Sequence, residues 1–357
     1  MDPVVATVAW IIVELTLDFH GSDAGSTPDK GLDPMSQHFL LSPDARGLSI
    51  GQVLRLTGVE AFAVFQRVRF ADNGGEPFCP RCGCAEVYTL SETPIRWKCV
   101  ACHRKFSVTS GTIFHSRKLA IRDYLGVIAL FCNGVKGTSA LQMSRDMNIN
   151  PKSAFVLLHK LREAMGATVH AGEELAGTVE VDGAYFGGHV QPANRKADRA
   201  DRRLAEEQTG KRQVVVIARE RRGRAMPFIV PRESAGVPFI RQHVASRTTV
   251  HADESAAWDV LHASFPMLRV NHSVEYKSEE GACTNQAESF FSRLRRSEMG
   301  VHHRISGHLL QAYADECAWR ENNRRRSNGD HWNLITGAAL AAPKSARWAG
   351  YWHRSAA

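Results

Sequence analysis

Thr178-Val-Glu-Val-Asp182 alternates polar and apolar side chains and stops at Gly183, the period-two pattern of a half-buried strand that ends in an acid. Working outward, residues 214–218 and 227–230 read as two more strands, joined through the basic stretch 219–224. Residues 236–244 read as a helix. Thr248-Thr-Val-His-Ala-Asp253 is a further strand closing on a carboxylate, with helical spacing after it over 255–263. Asn285 then reads as the N-cap of a helix whose Ala287, Phe290, Phe291 and Leu294 form an apolar stripe at i, i+3, i+4 and i+7. Glu288 lies beside that stripe, with Ser292 and Arg295 on its face. Strands interleaved with helices predict an α/β domain, which we bound at 171–330.

Two strands therefore carry Asp182 and Asp253 at or near their ends, and the start of a packed helix carries Glu288. Carboxylate oxygens are the donors a hard divalent ion such as magnesium takes. Two ions about 3.5–4 Å apart can activate an attacking oxygen and stabilise the leaving oxygen of a phosphodiester. Spacing alone does not single this triple out among 37 acidic residues, and Glu180, Glu254 and Asp259 are local rivals.

Upstream, Cys79-Pro-Arg-Cys82 is followed after 16 residues by Cys99-Val-Ala-Cys102. Each two-residue gap makes a tight turn that aims both thiolates at one ion, and two such turns match a tetrathiolate zinc site. Residues 87–90 and 95–98 read as the strands between them, so 76–112 is a zinc ribbon whose metal supplies stability that so small a core cannot. Cys79, Cys82, Cys99 and Cys102 are the expected ligands, with Cys84 a bystander and Cys132, Cys283 and Cys317 small buried hydrophobes. The neighbouring Arg81, Arg96, Lys98, Arg104 and Lys105 are placed to meet phosphate.

Residues 113–170 read as a helix followed by a helix-turn-helix. Leu119, Tyr124, Leu125, Ile128 and Phe131 share one face, and a short helix holds Leu141 and Met143. Asn150 and Pro151 then suit the cap and first position of a second helix. On that second helix Ala154, Leu157, Leu158 and Leu161 point inward, leaving Lys152, Ser153, His159, Lys160 and Arg162 elsewhere. A basic second helix after a tight turn is the geometry of a DNA-reading element, and Lys152 and Lys160 are its candidate DNA contacts. A plain helical hairpin has the same pattern.

The composition supports a polyanionic partner. The chain has 357 residues and a formal net charge of +8. Residues 1–70 hold 5 Lys and Arg against 8 Asp and Glu, whereas residues 71–170 hold 13 against 7. The basic excess thus begins where the cysteine pairs begin. The longest apolar run, residues 4–17, is too short for a membrane span and contains Glu14. With no export signal legible either, the reading is a cytoplasmic protein without membrane contact. Residues 1–34 lack periodicity and read as a disordered or mis-started tail, with Met35 the expected true start. A helical segment at 35–75 and a C-terminal tail at 331–357 complete the division.

The order of these motifs is specific. Zinc ribbon, helix-turn-helix, Val-Asp182-Gly-Ala-Tyr185-Phe-Gly187-Gly188, Asp253-Glu254 and Asn285-Gln-Ala-Glu288-Ser-Phe-Phe291 follow one another, with His302-His303 and the run Tyr313 to Arg324 behind them. The chain resembles the bacterial insertion-sequence transposases of the ISXO2-like type, which join a zinc ribbon to an RNase H-like DDE domain. The resemblance implies a mixed five-stranded sheet with the first aspartate on the first strand, the second on the fourth and the glutamate on a following helix. It implies that Asp182, Asp253 and Glu288 are catalytic and bind Mg2+ (or Mn2+), beside structural Zn2+ in the ribbon. Insertion-sequence ends would be nicked and the freed 3′-hydroxyl joined to target DNA, by a homodimer or larger assembly once two ends are synapsed. Many relatives carry a lysine seven residues after the glutamate where this chain has Arg295, which keeps the charge and can grip phosphate in bidentate fashion. Arg295, Arg296, Arg320 and Arg324 are the candidate DNA contacts of this part, and His302 and His303 candidate polar contacts to the cleaved strand. The charged insertion at 194–211 is expected to order on DNA. A non-catalytic DNA-binding regulator and a nuclease of RNA–DNA hybrids are the competing functions.

Overall fold

The computed structural model describes residues 39–92, 94–187, 195–198, 212–271 and 281–354. In chain order the helices are α1 (Ile50–Arg55), α2 (Gly58–Arg69), α3 (Ile121–Asn133), α4 (Ala140–Asp146), α5 (Pro151–His170), α6 (Val237–His243), α7 (Asn285–Ser297), α8 (Leu310–Asn322), α9 (Asn328–Ala341) and α10 (Tyr351–Arg354). The strands are β1 (Val87–Leu90), β2 (Arg96–Cys99), β3 (Lys105–Phe106), β4 (Thr178–Gly187), β5 (Arg212–Glu220), β6 (Ala225–Val230), β7 (Thr249–Asp253) and β8 (Met267–Val270). The described residues fall into two compact units, the first formed by those up to Val135, Ala140–Ala164 and those from Arg325 on, the second by Lys136–Ser139 and those between Met165 and Arg324. The tail expected at 1–34 lies outside the described residues.

In the first unit β1, β2 and β3 form an antiparallel meander. Its inward residue Trp97 is buried against the rings of Phe62, Phe70 and Phe106 at 5.6–5.9 Å. Thr57 starts α2 with a capping box to Glu60, satisfying the orphan amides of the first turn. Leu125, Ile128 and Phe131 of α3 are fully buried, and Trp332 of α9 donates its indole N–H to the Leu125 carbonyl at 3.1 Å.

The turn between α4 and α5 forms as read, with Asn150 Oδ1 accepting the Lys152 amide at 2.9 Å and Pro151 opening the helix. Two expectations fail here. His159 and Arg162, read as lying off the inward face of α5, are 0% and 2% exposed, with Arg162 over the Phe131 ring at 5.6 Å, and the described residues after 330 carry helices instead of a tail. The helix α9 buries Trp332, Ile335, Ala339 and Leu340. Beyond it Trp348 stacks on His159 at 4.5 Å, Tyr351 and Trp352 lie against Phe155, and Trp352 donates its indole N–H to the Lys152 carbonyl. Aromatic rings carry enough apolar area to bury a helix face that its own polar residues mark as outer. Lys152 stays exposed over the Trp352 ring.

The second unit is a five-stranded mixed sheet in the order β6-β5-β4-β7-β8. The first three strands in sequence pair antiparallel, and β7 and β8 add in parallel, which is the RNase H-like arrangement expected. Residues 214–218 of β5 are fully buried, as a central strand covered on both faces requires. On one face Phe186 meets Phe291 of α7. On the other, Phe228 meets Phe239 of α6 and Val216 lies under Gly236. Gly236 is tight there, since a Cβ would stand 2.9 Å from Val216. The helix expected over 236–244 appears as α6, preceded by a 3-10 turn at Glu233–Gly236, and 255–263 appears as the 3-10 helix Ala256–Ala263.

Replacing Trp348 with Ala should cost the first unit about 3–5 kcal/mol, read as a lowered urea midpoint of the full chain. An unchanged midpoint would show that the residues after α9 are dispensable for its folding.

Candidate active site

Because β4 and β7 are parallel and Val181 pairs with Ala252, Asp182 and Asp253 emerge side by side, one residue further along each strand. The Gly183 amide donates to Asp182 Oδ1 at 2.7 Å. Asp253 ends its strand, where its Oδ1 accepts the Ser255 amide at 3.1 Å and Arg269 clamps the backbone by donating to the carbonyls of Asp253 and Ser255. Glu288 stands in the first turn of α7, exposed, on the helix that packs over the face of β4 holding Asp182. The cap expected at Asn285 shifts by one residue: Thr284 is the N-cap and Asn285 the first helical residue. The amides of Gln286 and Ala287 are taken instead by the Glu180 carboxylate.

Burial, then the charges of Asp253, Glu288 and Glu233, push the Asp182 carboxyl up to about 7, against the pull of the Gly183 amide. Three carboxylates thus act on a fourth. Glu233 escaped the sequence reading, because nothing in Val230-Pro-Arg-Glu233 marks it. Its position follows from the sheet order, which sets the turn after β6 over Gly183, where a Cβ would stand 2.7 Å from the Glu233 Cγ. Burial raises the Glu233 carboxyl, while the Ser255 hydroxyl donates to its Oε2 at 2.9 Å and lowers it. The glycine after Asp182 was the available hint.

The rivals separate. Glu180 is buried beneath the site, Glu254 is exposed, and Asp259 pairs with Arg269 at 3.0 Å. Among the described residues, ligand atoms all lying within 4.8 Å of one another occur in the four cysteines, and the carboxylate group is more open than that. The hard oxygen donors nonetheless suit a divalent cation, which would offset the burial and repulsion that raise the Asp182 carboxyl.

The basic residues also separate. Arg295 is exposed and lies over the Phe186 ring at 5.5 Å, and Arg296 is exposed beside it. Arg320 pairs with Glu316 at 2.9 Å and Arg324 with Glu321 at 2.7 Å, so both are committed to buried carboxylates within α8. Arg219 and Arg293 also converge on Glu321. Lys160 is half-buried, and burial lowers its pKa against the pull of Glu163. His302 lies against Tyr313, His303 is exposed, and Trp258 and Trp319 are core residues. Most of the insertion at 194–211 lies outside the described residues.

In the ribbon, Cys79 Sγ is 3.5 Å from Cys102 Sγ and Cys82 Sγ is 3.6 Å from Cys99 Sγ. Tetrahedral zinc with bonds of about 2.3 Å places sulfurs roughly 3.8 Å apart, so the four thiols are set for one zinc ion. The Cys102 amide, donating to Cys99 Sγ at 3.4 Å, leads the interactions that draw the Cys99 thiol down to about 6, favouring the thiolate a metal takes. Cys84 stands outside the group. Lys105 and Arg96 are shared with Glu92 at 2.8 and 3.8 Å. No described helix is long and apolar enough to cross a membrane.

Residues 174–322 match the ISXO2-like transposase domain, and residues 56–105 the transposase zinc-ribbon domain. An uncharacterized protein in the transposable element ISH50 of Halobacterium salinarum is 25% identical over 277 residues, 74% of this chain and 91% of that protein. The Mos1 strand transfer complex is matched with 10% identity over 60% of this chain and 78% of that one, with a TM-score of 0.23, too slight a likeness to bear on the fold.

Substituting Cys99 with Ser should release the zinc, measured as metal content per chain falling from one towards zero. Asp182→Asn should raise the melting temperature of metal-free protein at pH 8. Folded Asp182 keeps its proton up to about pH 7, whereas the unfolded carboxyl loses it near 3.9. The folded state therefore binds more protons between those values and stability falls as pH rises through them. The gain from Asn should shrink as pH falls towards 4, and a lower melting temperature at pH 8 would contradict the crowding of charge described.

Proposed function

The chain belongs to the ISXO2-like transposases, with a zinc ribbon ahead of a DDE domain, and we propose on that basis that it cuts and joins DNA at insertion-sequence ends. In this reading Asp182, Asp253 and Glu288 hold two magnesium or manganese ions. The observation that carries it is the convergence of Asp253 and Glu288 on Asp182, from a parallel strand and a packed helix, closely enough to raise its proton affinity.

Bound divalent cations would supply activation of the attacking oxygen, first of water and then of a 3′-hydroxyl, and charge neutralisation at the leaving oxygen. The protein's own part is placement. The strands hold the two aspartates at fixed separation, and α7 brings Glu288 to them. Arg295 and Arg296, exposed about two turns beyond, hold DNA phosphates in line with the attacking oxygen. Glu233, tied to Ser255 beside Asp253, adds a fourth negative charge to the site. Arg320 and Arg324 serve by bracing α8 rather than by touching DNA. In the first unit, Lys152 at the exposed start of α5 and the basic ribbon residues are the surface for end recognition, and two synapsed ends call for at least a dimer on DNA.

Asp182→Asn should abolish Mg2+-dependent strand cleavage of a terminal-repeat duplex, a loss of at least about 10³-fold, while gel-shift affinity for the same duplex stays within about twofold. Full cleavage by the variant would dismiss the assignment, and a wild-type chain that binds the ends without cutting would make it a DNA-binding regulator.

A further inference from the structure

Directly beneath the proposed catalytic carboxylates the sheet carries a second layer of charge. His251 of β7, Glu180 of β4 and Arg219 of β5 are partners on one rung across three strands, and they are 3%, 1% and 4% exposed. Side chains two positions apart on a strand share a face, so Glu180 lies under Asp182 and His251 under Asp253. Buried ionic groups on a sheet rung cost free energy unless each is paired and hydrogen-bonded. Here the pairs reach the third catalytic element.

We propose that Glu180 is a positioning residue that locks the helix of Glu288 to the strand of Asp182. Its Oε2 accepts the backbone amides of Gln286 at 2.8 Å and Ala287 at 3.1 Å, the two residues before Glu288. Its Oε1 accepts Arg221 Nε at 3.0 Å. Arg221 Nη2 in turn donates to His251 Nδ1 at 3.0 Å and to the carbonyl of Cys283, just ahead of α7, and the Cys283 amide donates to the same His251 nitrogen at 3.3 Å. Arg219 completes the bracket from the other side, its Nε donating to the Gln286 side chain at 3.3 Å and its Nη2 to Glu321 at 2.7 Å. One carboxylate therefore takes the place of an N-cap side chain, with its negative charge at the positive end of the helix. A single residue thus bridges Asp182 and Glu288, two positions from the first and bonded to the two amides just before the second. Cys283, read from the sequence as a small buried hydrophobe, is part of the bracket: Arg221 Nη2 also reaches its Sγ at 2.7 Å.

This inference rests on the catalytic reading of Asp182, Asp253 and Glu288, and the experiment separates the two. Mn2+ binding to the full-length protein is measured by electron paramagnetic resonance, and terminal-repeat cleavage by single-turnover kinetics over a Mn2+ series, for wild type, Glu180→Gln, Glu288→Gln and Gln286→Pro. The last variant removes one of the two donors at a first-turn position that tolerates proline, together with the side chain that Arg219 Nε reaches, and leaves the Glu180 carboxylate itself in place. In Glu180→Gln, we expect the Mn2+ concentration for half-maximal cleavage to rise about tenfold and the saturated rate to fall about 100-fold, the scale of a displacement near 1 Å. Affinity for the DNA ends should stay unchanged, and Gln286→Pro should shift the same two quantities in the same direction by less. Should Glu180→Gln fold too poorly to assay, Gln286→Pro decides alone. Wild-type Mn2+ response in the foldable variants, with Glu288→Gln still defective, overturns the positioning role. Wild-type behaviour of Glu288→Gln overturns the catalytic reading instead.

Discussion

Like charges do not gather in a fold unless the backbone forces them together, and that constraint governs the second unit. Asp182 and Asp253 are neighbours because β4 and β7 run parallel in a register set by buried apolar partners, Val181 beside Ala252 and Val179 beside Val250. Burial and the repulsion that results together raise the proton affinity of Asp182. The sheet tolerates it because its apolar strands and the ion pairs under the site hold their geometry independently of the site. A cation held there, as proposed, would offset the charge repulsion among donors that the sheet and α7 already bring near one another.

The first unit solves a different problem. A three-stranded meander with a two-residue third strand has little core of its own. Trp97 and its aromatic neighbours give it one wall, and the four thiols give it a centre. The helices around α5 are closed by residues from far along the sequence, with Trp348, Tyr351 and Trp352 covering what the short-range pattern marks as an outer face.

Much of this was legible before any coordinates. Cysteine spacing identified the ribbon, since two tight turns leave few other arrangements. Alternation over Thr178 to Asp182 and over Thr248 to Asp253 marked the two strands, and motif order supplied the sheet type that periodicity cannot. What stayed hidden has a common cause. Glu233 acts on Asp182 only because β6, β5 and β4 lie side by side in the sheet, and Glu180 reaches α7 only through tertiary packing. The aromatic cover on α5 lies nearly 200 residues beyond the helix. Local periodicity reports which way a side chain faces along its own element, not what arrives later to meet it. The same limit applies to Arg320 and Arg324, whose charge was legible but whose partners Glu316 and Glu321 were not.

The first unit is threaded from three separate stretches, the last of them downstream of the entire second unit. During synthesis the ribbon and the helices up to α5 therefore emerge long before Trp348 exists to cover Phe155 and His159. Since domains fold as they leave the ribosome, the module nearer the amino end is the one that finishes last. A chain cut short after the DDE domain would keep all four acids yet leave that aromatic seat open to solvent.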